Sequence, residues 1–433
     1  MAFTTQPGVD GAPTTFEGTE GADSIAILGD NVNNIVFDSF IARGLGGNDT
    51  INYSGTRSDS TIQGGQGDDL ITQNIVGDGF LASSFVAGNQ GNDTIGNATL
   101  GIVATLSTLQ GGQGEDRIFA ATIQSTLVAG NLGDDFLSVD DTFGFIAVDS
   151  SSVWGGQGDD TIDITTSFVN SSVTNTSIAG NLGNDIINLD VIGSFAGSVA
   201  DGGDGDDLID AVPSVSDLSL IGGTGDDTIY GGGGDDAISG QDDDDWLAGD
   251  FGSDTVEGGK GNDLVTGSFY DGVDYFGDFE GDTLSGGTGS NRFLVAPGSS
   301  SFATYIDAGI GGIVDQGDAF VAAFGGTFDV ITDWNSGNGT NLLDTGIAGL
   351  TTFAGFGPGM SLGFGFFLGS NYAVRGNYAE DGATFVVDLF GTDIAVWNFD
   401  GALFSTNVTI LDNVNPGILT TNVFLTENQF VSI

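Results

Sequence analysis

The sequence predicts an all-β chain, a parallel β-roll or β-solenoid with a mostly β C-terminal domain after it. Three observations predict this. One phrase, Gly-x-x-Gly-(Asp/Asn/Glu)-Asp-x-(Ile/Leu/Val), recurs through most of the chain. Its copies keep to two spacings. Its last position is aliphatic throughout: Ile51, Ile71, Ile95, Ile118, Leu137, Ile162, Ile187, Ile209, Ile229, Ile238, Leu247, Val256 and Val265. A fixed internal period marks a repeat architecture, and stacked repeats need a continuous buried row.

Copies of the phrase begin at Gly64, Gly88, Gly111, Gly130, Gly155, Gly180, Gly202 and Gly222, then at Gly231, Gly240, Gly249 and Gly258. Looser copies start at Gly18, Gly29 and Gly44, and a degenerate one at Gly286. From Asp69 to Asp227 the phrases lie about 19 to 25 residues apart, which suits one coil with the glycine–aspartate turn on a single edge. A Ser/Thr-rich loop such as 72–84 or 165–177 would then form the opposite edge. From Asp227 to Asp263 the interval is about nine, one turn plus one short strand, so two copies make a coil. Gly-Gly-Gln-Gly turns at 64, 111 and 155 alternate with Gly-Asn-(Gln/Leu)-Gly turns at 88, 130 and 180, which predicts a two-coil super-period. Glycine permits positive φ and close stacking of turns, and such turns aim carbonyls and the Asp carboxylate at a hard cation.

Composition narrows the chemistry. The 433 residues hold 60 acidic and 6 basic side chains, a formal net charge of −54, with no Cys and no His. Histidine-dependent triads, His-ligated zinc or haem, disulfides and thiolate metal sites are thereby excluded. Nucleic acid, itself a polyanion, is a poor partner. A solvated acidic tail would not carry 39% hydrophobic and 10% aromatic residues. Divalent cations are the expected counter-charge. Met1 to Asp10 contain neither a basic nor an apolar region, so no N-terminal signal peptide is expected. The uncharged stretch 345–374 is broken by Gly and Pro and does not read as a membrane span.

Gly222-Gly223-Thr224-Gly225-Asp226-Asp227-Thr228-Ile229-Tyr230 and Gly231-Gly232-Gly233-Gly234-Asp235-Asp236-Ala237-Ile238-Ser239 resemble the nonapeptide of the RTX (repeats-in-toxin) family, a calcium-binding parallel β-roll. The resemblance implies multiple Ca²⁺ ions between successive turns. They would be held by Asp23, Asp49, Asp69, Asp93, Asp116, Asp135, Asp160, Asp185, Asp207, Asp227, Asp236, Asp245, Asp254 and Asp263. Carbonyls of the glycine turns, at Gly64, Gly88, Gly111, Gly130, Gly155, Gly180, Gly202, Gly222 and Gly231, would complete the sites. Asn34 and Asn291 replace the Asp in two copies, and Gly240-Gln241-Asp242-Asp243-Asp244 has lost its inner glycines. The resemblance also implies type I export through an uncleaved C-terminal signal, for which 425–433 is the candidate. Sites of this kind bind at about 10⁻⁴–10⁻³ M, so they are expected to fill outside the cell and to couple binding to folding. On the order of ten to fourteen ions would fit.

The expected organisation is an extension (1–17), the roll (18–293; long coils to about 221, strict nonapeptides over 222–265) and a β-rich domain (294–433). In that last domain, 328–334, 383–389 and 393–400 read as strands. Asp329 to Trp334 is similar to a segment that follows RTX repeats, and Arg375 to Tyr378 with Gly391 to Asp393 resembles the tails of cyanobacterial RTX surface proteins. With no His in the chain neither a Ser-His triad nor a His-Glu-x-x-His metal site can form, and paired carboxylates that recur turn after turn read as metal sites, so no enzyme is expected.

Two functions remain. One is an extracellular building block that joins copies of itself, head-to-tail or laterally, into a layer, sheath or filament. Outward apolar residues such as Leu70, Phe136, Ile186 and Trp246, with Phe364 and Phe366 of the Gly-rich stretch 355–368, are its candidate contacts. The other is a monomeric adhesin that binds cell-surface polysaccharide or another surface. An ice-binding face would want an unbroken Thr row, and Thr50, Thr94, Thr161, Thr228 and Thr255 are interrupted.

Overall fold

The computed structural model describes residues 13–27 and 39–294, apart from 56, 75–79, 100, 142–146, 169, 268, 271–274 and 277–280, together with separate strands before and after. Among the described residues every regular element is a β-strand. The chain divides into two units, Met1–Gly222 and Gly223–Ile433.

In the first unit the coils contribute strands to two long faces and, over 57–174, to a third. On one face Thr14–Glu17, Phe40–Gly46, Thr61–Gln66, Phe85–Gln90, Thr108–Gln113, Leu127–Leu132, Ser152–Gln157, Ser177–Leu182 and Val199–Asp204 pair in parallel and in phrase register. Thr4–Gln6 adds antiparallel to Thr14–Glu17. After the glycine turn the chain enters a second parallel face, in which the strands starting at Ser24, Thr50, Leu70, Thr94, Arg117, Phe136, Thr161, Ile186 and Leu208 stand side by side. The extra length of the long coils makes a third, shorter face from Arg57–Ser58, Leu81–Ala82, Ile102–Thr105, the end of Arg117–Gln124, Ala147–Asp149 and Ser172–Thr174.

Alternation along each strand sends every second side chain inward. Ile51, Ile71, Ile95, Ile118, Leu137, Ile162, Ile187 and Ile209 are fully buried, as the sequence predicts. They face Ile62, Val86, Leu109, Val128, Val153 and Ile178, with Leu81, Ile123 and Val173 from the third face. Each full burial stabilises the fold by roughly 1.5–3 kcal/mol. Arg57 is also buried there; its guanidinium lies 5.8 Å from the Phe40 ring centroid and donates to the Ile27 carbonyl at 3.3 Å.

The second unit is a tighter roll. Ala237–Asp242, Thr255–Lys260 and Thr283–Thr288 form one parallel face. Thr228–Tyr230, Trp246–Ala248, Leu264–Thr266 and Arg292–Leu294 form the other. Partners stand 18 residues apart through the strict repeats (Thr228 opposite Trp246, Ala237 opposite Thr255), so two nonapeptides make one coil. Both faces go on into the C-terminal segment, through Asp329–Ile331 beside Thr283–Thr288 and Leu342–Asp344 beside Arg292–Leu294. Further on, Ser370–Tyr378, Thr384–Val387, Asp393–Phe399 and Thr406–Leu411 pair antiparallel. The predicted strands at 328–334, 383–389 and 393–400 are present at Asp329–Ile331, Thr384–Val387 and Asp393–Phe399.

Candidate metal centre

The glycine–aspartate edge is built from one turn repeated. In Gly88-Asn89-Gln90-Gly91-Asn92-Asp93, Asn89 and Gly91 take φ of +88° and +119°. That reverses the chain and brings Asp93 to the inside of the turn, where it is 1% exposed. Its backbone N–H donates to Asp116 Oδ1 in the next coil at 2.8 Å, and its own Oδ1 accepts from Asp69 N–H at 2.8 Å. The same bond, 2.6–2.8 Å long, links Asp23, Asp49, Asp69, Asp93, Asp116, Asp135, Asp160, Asp185 and Asp207 in one unbroken file. In the second unit there are two files, as nine-residue spacing requires. Asp227, Asp245, Asp263 and Asn291 form one, and Asp236, Asp254 and Asp282 the other.

One carboxylate oxygen of each Asp from Asp49 to Asp207 is thus spent on the neighbouring coil. The other, Oδ2, folds back over the first glycine of its own turn. A Cβ on Gly64, Gly88, Gly111, Gly130, Gly155, Gly180, Gly202, Gly240, Gly249 or Gly258 would collide with it, which is why this position is glycine. In Asp49, Asp69, Asp93, Asp116, Asp135, Asp160, Asp185 and Asp245 that Oδ2 is buried without a hydrogen-bond partner. Asp23, at the start of the file, differs: its Oδ2 accepts from Thr19 N–H at 2.6 Å and Thr19 Oγ1 at 2.7 Å.

A buried carboxylate oxygen without a partner is costly when ionised, so the group must take up a proton or a cation. Burial pushes the carboxyls of Asp93 and Asp160 up to about 8, of Asp135 and Asp245 to about 7, and of Asp69, Asp116 and Asp185 to about 6. The accepted backbone N–H opposes burial in each, and neighbouring acids add to the rise for all but Asp116. Asp49 is raised by the same main cause.

The donor set is oxygen only. Among the described residues no three acidic side chains converge on one point. A cation here would therefore be held by carboxylates one per turn and by main-chain carbonyls. The carbonyls are at hand: Gly44, Gly64, Gly202 and Gly222 oxygens approach the first glycine of the preceding turn in the first unit, as Gly249, Gly258 and Gly286 oxygens do in the second. Carboxylate and carbonyl oxygens in a flexible set are the ligands of Ca²⁺, which takes six to eight of them. The residues fit that ion. At Asn291 the side-chain oxygen keeps the inter-coil bond to Asp263 N–H, so the amide nitrogen faces Gly286 and offers no ligand. Asn34 lies outside the described residues.

Two features of the edges escape the sequence reading, and a third, the Ser/Thr-rich opposite edge that the sequence predicts, takes the form of a buried file. Asp282 is a full member of the second file, with Oδ2 over Gly267, but residues 268–281 separate that glycine from its aspartate. The signal was the ending Gly281-Asp282-Thr283-Leu284, nine residues before Asn291. The fifth position of the phrase makes an exposed file of its own, in which Asp68 Oδ1 accepts from Asn92 N–H at 3.0 Å and Asn92 Oδ1 from Glu115 N–H at 3.1 Å. On the opposite edge of the first unit, Ser60, Ser84, Ser107, Thr126, Ser151, Thr176 and Ser198 are buried hydroxyls. Ser84 Oγ, for instance, accepts from Ser60 N–H at 3.2 Å and donates to the Ala82 carbonyl at 2.8 Å. The hydroxyls of this file carry no charge and are hydrogen-bonded from coil to coil.

The proposed contact residues divide. Leu70 and Ile186 are exposed on the second face at 39% each. Phe136 and Trp246 are half-buried against Phe119 and Tyr230, with ring centroids 5.7 and 5.8 Å apart. Phe364 and Phe366 lie outside the described residues.

Residues 43–72, 150–163, 219–247 and 239–269 match the family model of the RTX calcium-binding nonapeptide repeat. The chain is a β-roll protein with calcium-binding repeats, and those repeats are of the RTX kind. No curated protein matches it.

Proposed function

We propose that the chain is a non-catalytic extracellular building block, which calcium folds and which then joins copies of itself into a layer, sheath or filament. RTX repeat proteins are typically secreted. The observation that carries the assembly reading is the apolar surface of the first face. Leu132 and Leu182, in register on either side of Gln157, and Trp154, three residues earlier on the strand between them, are 40%, 45% and 41% exposed on a chain that is otherwise strongly acidic outside. Large apolar side chains grouped in this way suit a protein–protein contact, and a second copy of the same chain can bring the same patch to a lateral interface.

Negative-stain electron microscopy tests it, first in EGTA and then at about 5 mM CaCl₂, above the ~10⁻³ M end of the range for such sites. Ordered filaments or sheets that need calcium, and that Trp154→Asp abolishes while the strand signal in circular dichroism persists, are the expected result. Discrete particles at every calcium concentration would favour a monomeric adhesin instead.

A further inference from the structure

Along the aspartate edge of the first unit the second residue of the turn alternates in conformation. Leu45, Asn89, Asn131 and Asn181 have φ of +82°, +88°, +88° and +84°. Gly65, Gly112, Gly156 and Gly203, which lie between and after them in the ladder, have +126°, +133°, +133° and +117°. The first set is the left-handed region that Asn tolerates; the second suits only glycine. In each Asn coil the side-chain amide donates to the alanine carbonyl two residues back, at 3.5, 3.4 and 3.3 Å, which holds that conformation.

Sterics tie neighbouring coils into pairs. The carbonyl oxygen of Leu45 stands where a Cβ on Gly65 would be. The oxygens of Asn89, Asn131 and Asn181 do the same to Gly112, Gly156 and Gly203. The reverse step cannot repeat this, because Asn89, Asn131 and Asn181 carry real Cβ atoms, so the carbonyls of Gly65, Gly112 and Gly156 do not occupy that place. Gaps between coils therefore alternate. Those at 45/65, 89/112, 131/156 and 181/203 receive a second-position carbonyl oxygen, and those at 65/89, 112/131 and 156/181 do not.

Building on the calcium reading above, we infer that the ion sites of this edge form two alternating classes, and that the class with the extra main-chain oxygen fills first. Ligand number and rigidity tune calcium affinity over orders of magnitude, so one oxygen suffices to separate the classes by about tenfold or more.

A crystal structure of the full chain grown with CaCl₂ tests this directly, alongside calorimetric titration. The expected ions in the first four gaps take an oxygen from Leu45, Asn89, Asn131 or Asn181, and those in the other gaps take none from Gly65, Gly112 or Gly156. Gly156→Ala, which blocks the Asn131 carbonyl, removes about one ion from the tighter class, whereas Leu106→Asn, on the opposite edge, leaves the ion count unchanged. Should Gly156→Ala fail to fold, the ligand sets of the unmodified chain decide alone. Identical ligand sets in all gaps, or equal effects of the two substitutions, overturn the inference and leave the calcium reading intact. Turns without calcium in those crystals overturn both.

Discussion

At the scale of single residues, the repeat explains itself through positions that tolerate one side chain or none. Gly130 shows the strict case: its missing Cβ is the space that the Asp135 carboxylate fills. Gly130→Ala is expected to cost about 1–3 kcal/mol by overpacking and to displace the candidate ligand, read as a lower calcium-loaded melting temperature and about one ion fewer. Gly21→Ala is the control. A Cβ there meets only Thr19 Oγ1 at 4.0 Å, so the change in stability should stay within about 0.5 kcal/mol. Leu106 shows the opposite case. It turns the hydroxyl edge at φ +52° with 63% of its surface exposed, in a place where other coils use Asn175 (+49°) or Gly197 (+70°). Left-handed backbone costs a leucine about 1–2 kcal/mol that an asparagine partly avoids. Leu106→Asn should therefore raise stability by roughly 0.5–1 kcal/mol in calcium-saturated denaturant titrations.

At the scale of the elements, the two kinds of edge respond differently to protons. A buried aspartate such as Asp93, near 8, or Asp135, near 7, holds its proton in the calcium-free roll far above the ~3.9 of an unfolded chain. Over that interval the native state binds more protons than the unfolded one, so stability falls as pH rises. The calcium-free roll is therefore most stable near pH 4, loses stability progressively as pH rises from there to about 8, and is recovered at pH 8 by calcium, which takes the proton's place. Circular dichroism in EGTA should show more strand at pH 5 than at pH 8, and the calcium midpoint should rise as pH falls. The hydroxyl file of Ser60 to Ser198 has no titrating group and should add nothing to this dependence. Legibility in the sequence divides along the same line. The core row and the aspartate turns were readable because their side chains recur at a fixed offset from glycines. So was the doubled edge of the second unit, because nine residues hold one turn and one strand. The Ser/Thr-rich character of the opposite edge was readable as well, but the strands of the third face and the regular hydroxyl file were not, since the loops that carry them vary in length and Ser or Thr serves equally. Asp282 was hidden by the residues inserted between it and Gly267.

At the scale of the whole molecule, a formal charge of −54 on 433 residues sets the problem that the fold must solve. Without counter-ions the carboxylates of each file face one another across a single coil spacing, and self-repulsion opposes the compact state. Monovalent salt screens exposed charges over about 8–10 Å but reaches buried pairs poorly. Sodium chloride should therefore not substitute for calcium. About ten to fourteen divalent ions, one per stacked pair of turns, would neutralise roughly half of the charge and would do so inside the files, where repulsion is strongest. Small-angle scattering at pH 8 separates the two effects. In EGTA the chain is expected to approach the dimensions of an unfolded polymer of its length, a radius of gyration on the order of 75 Å. It should stay expanded in 0.5 M NaCl and contract only as calcium passes about 10⁻³ M. Contraction by sodium chloride alone would mean that general screening, rather than occupation of the aspartate turns, holds the roll together.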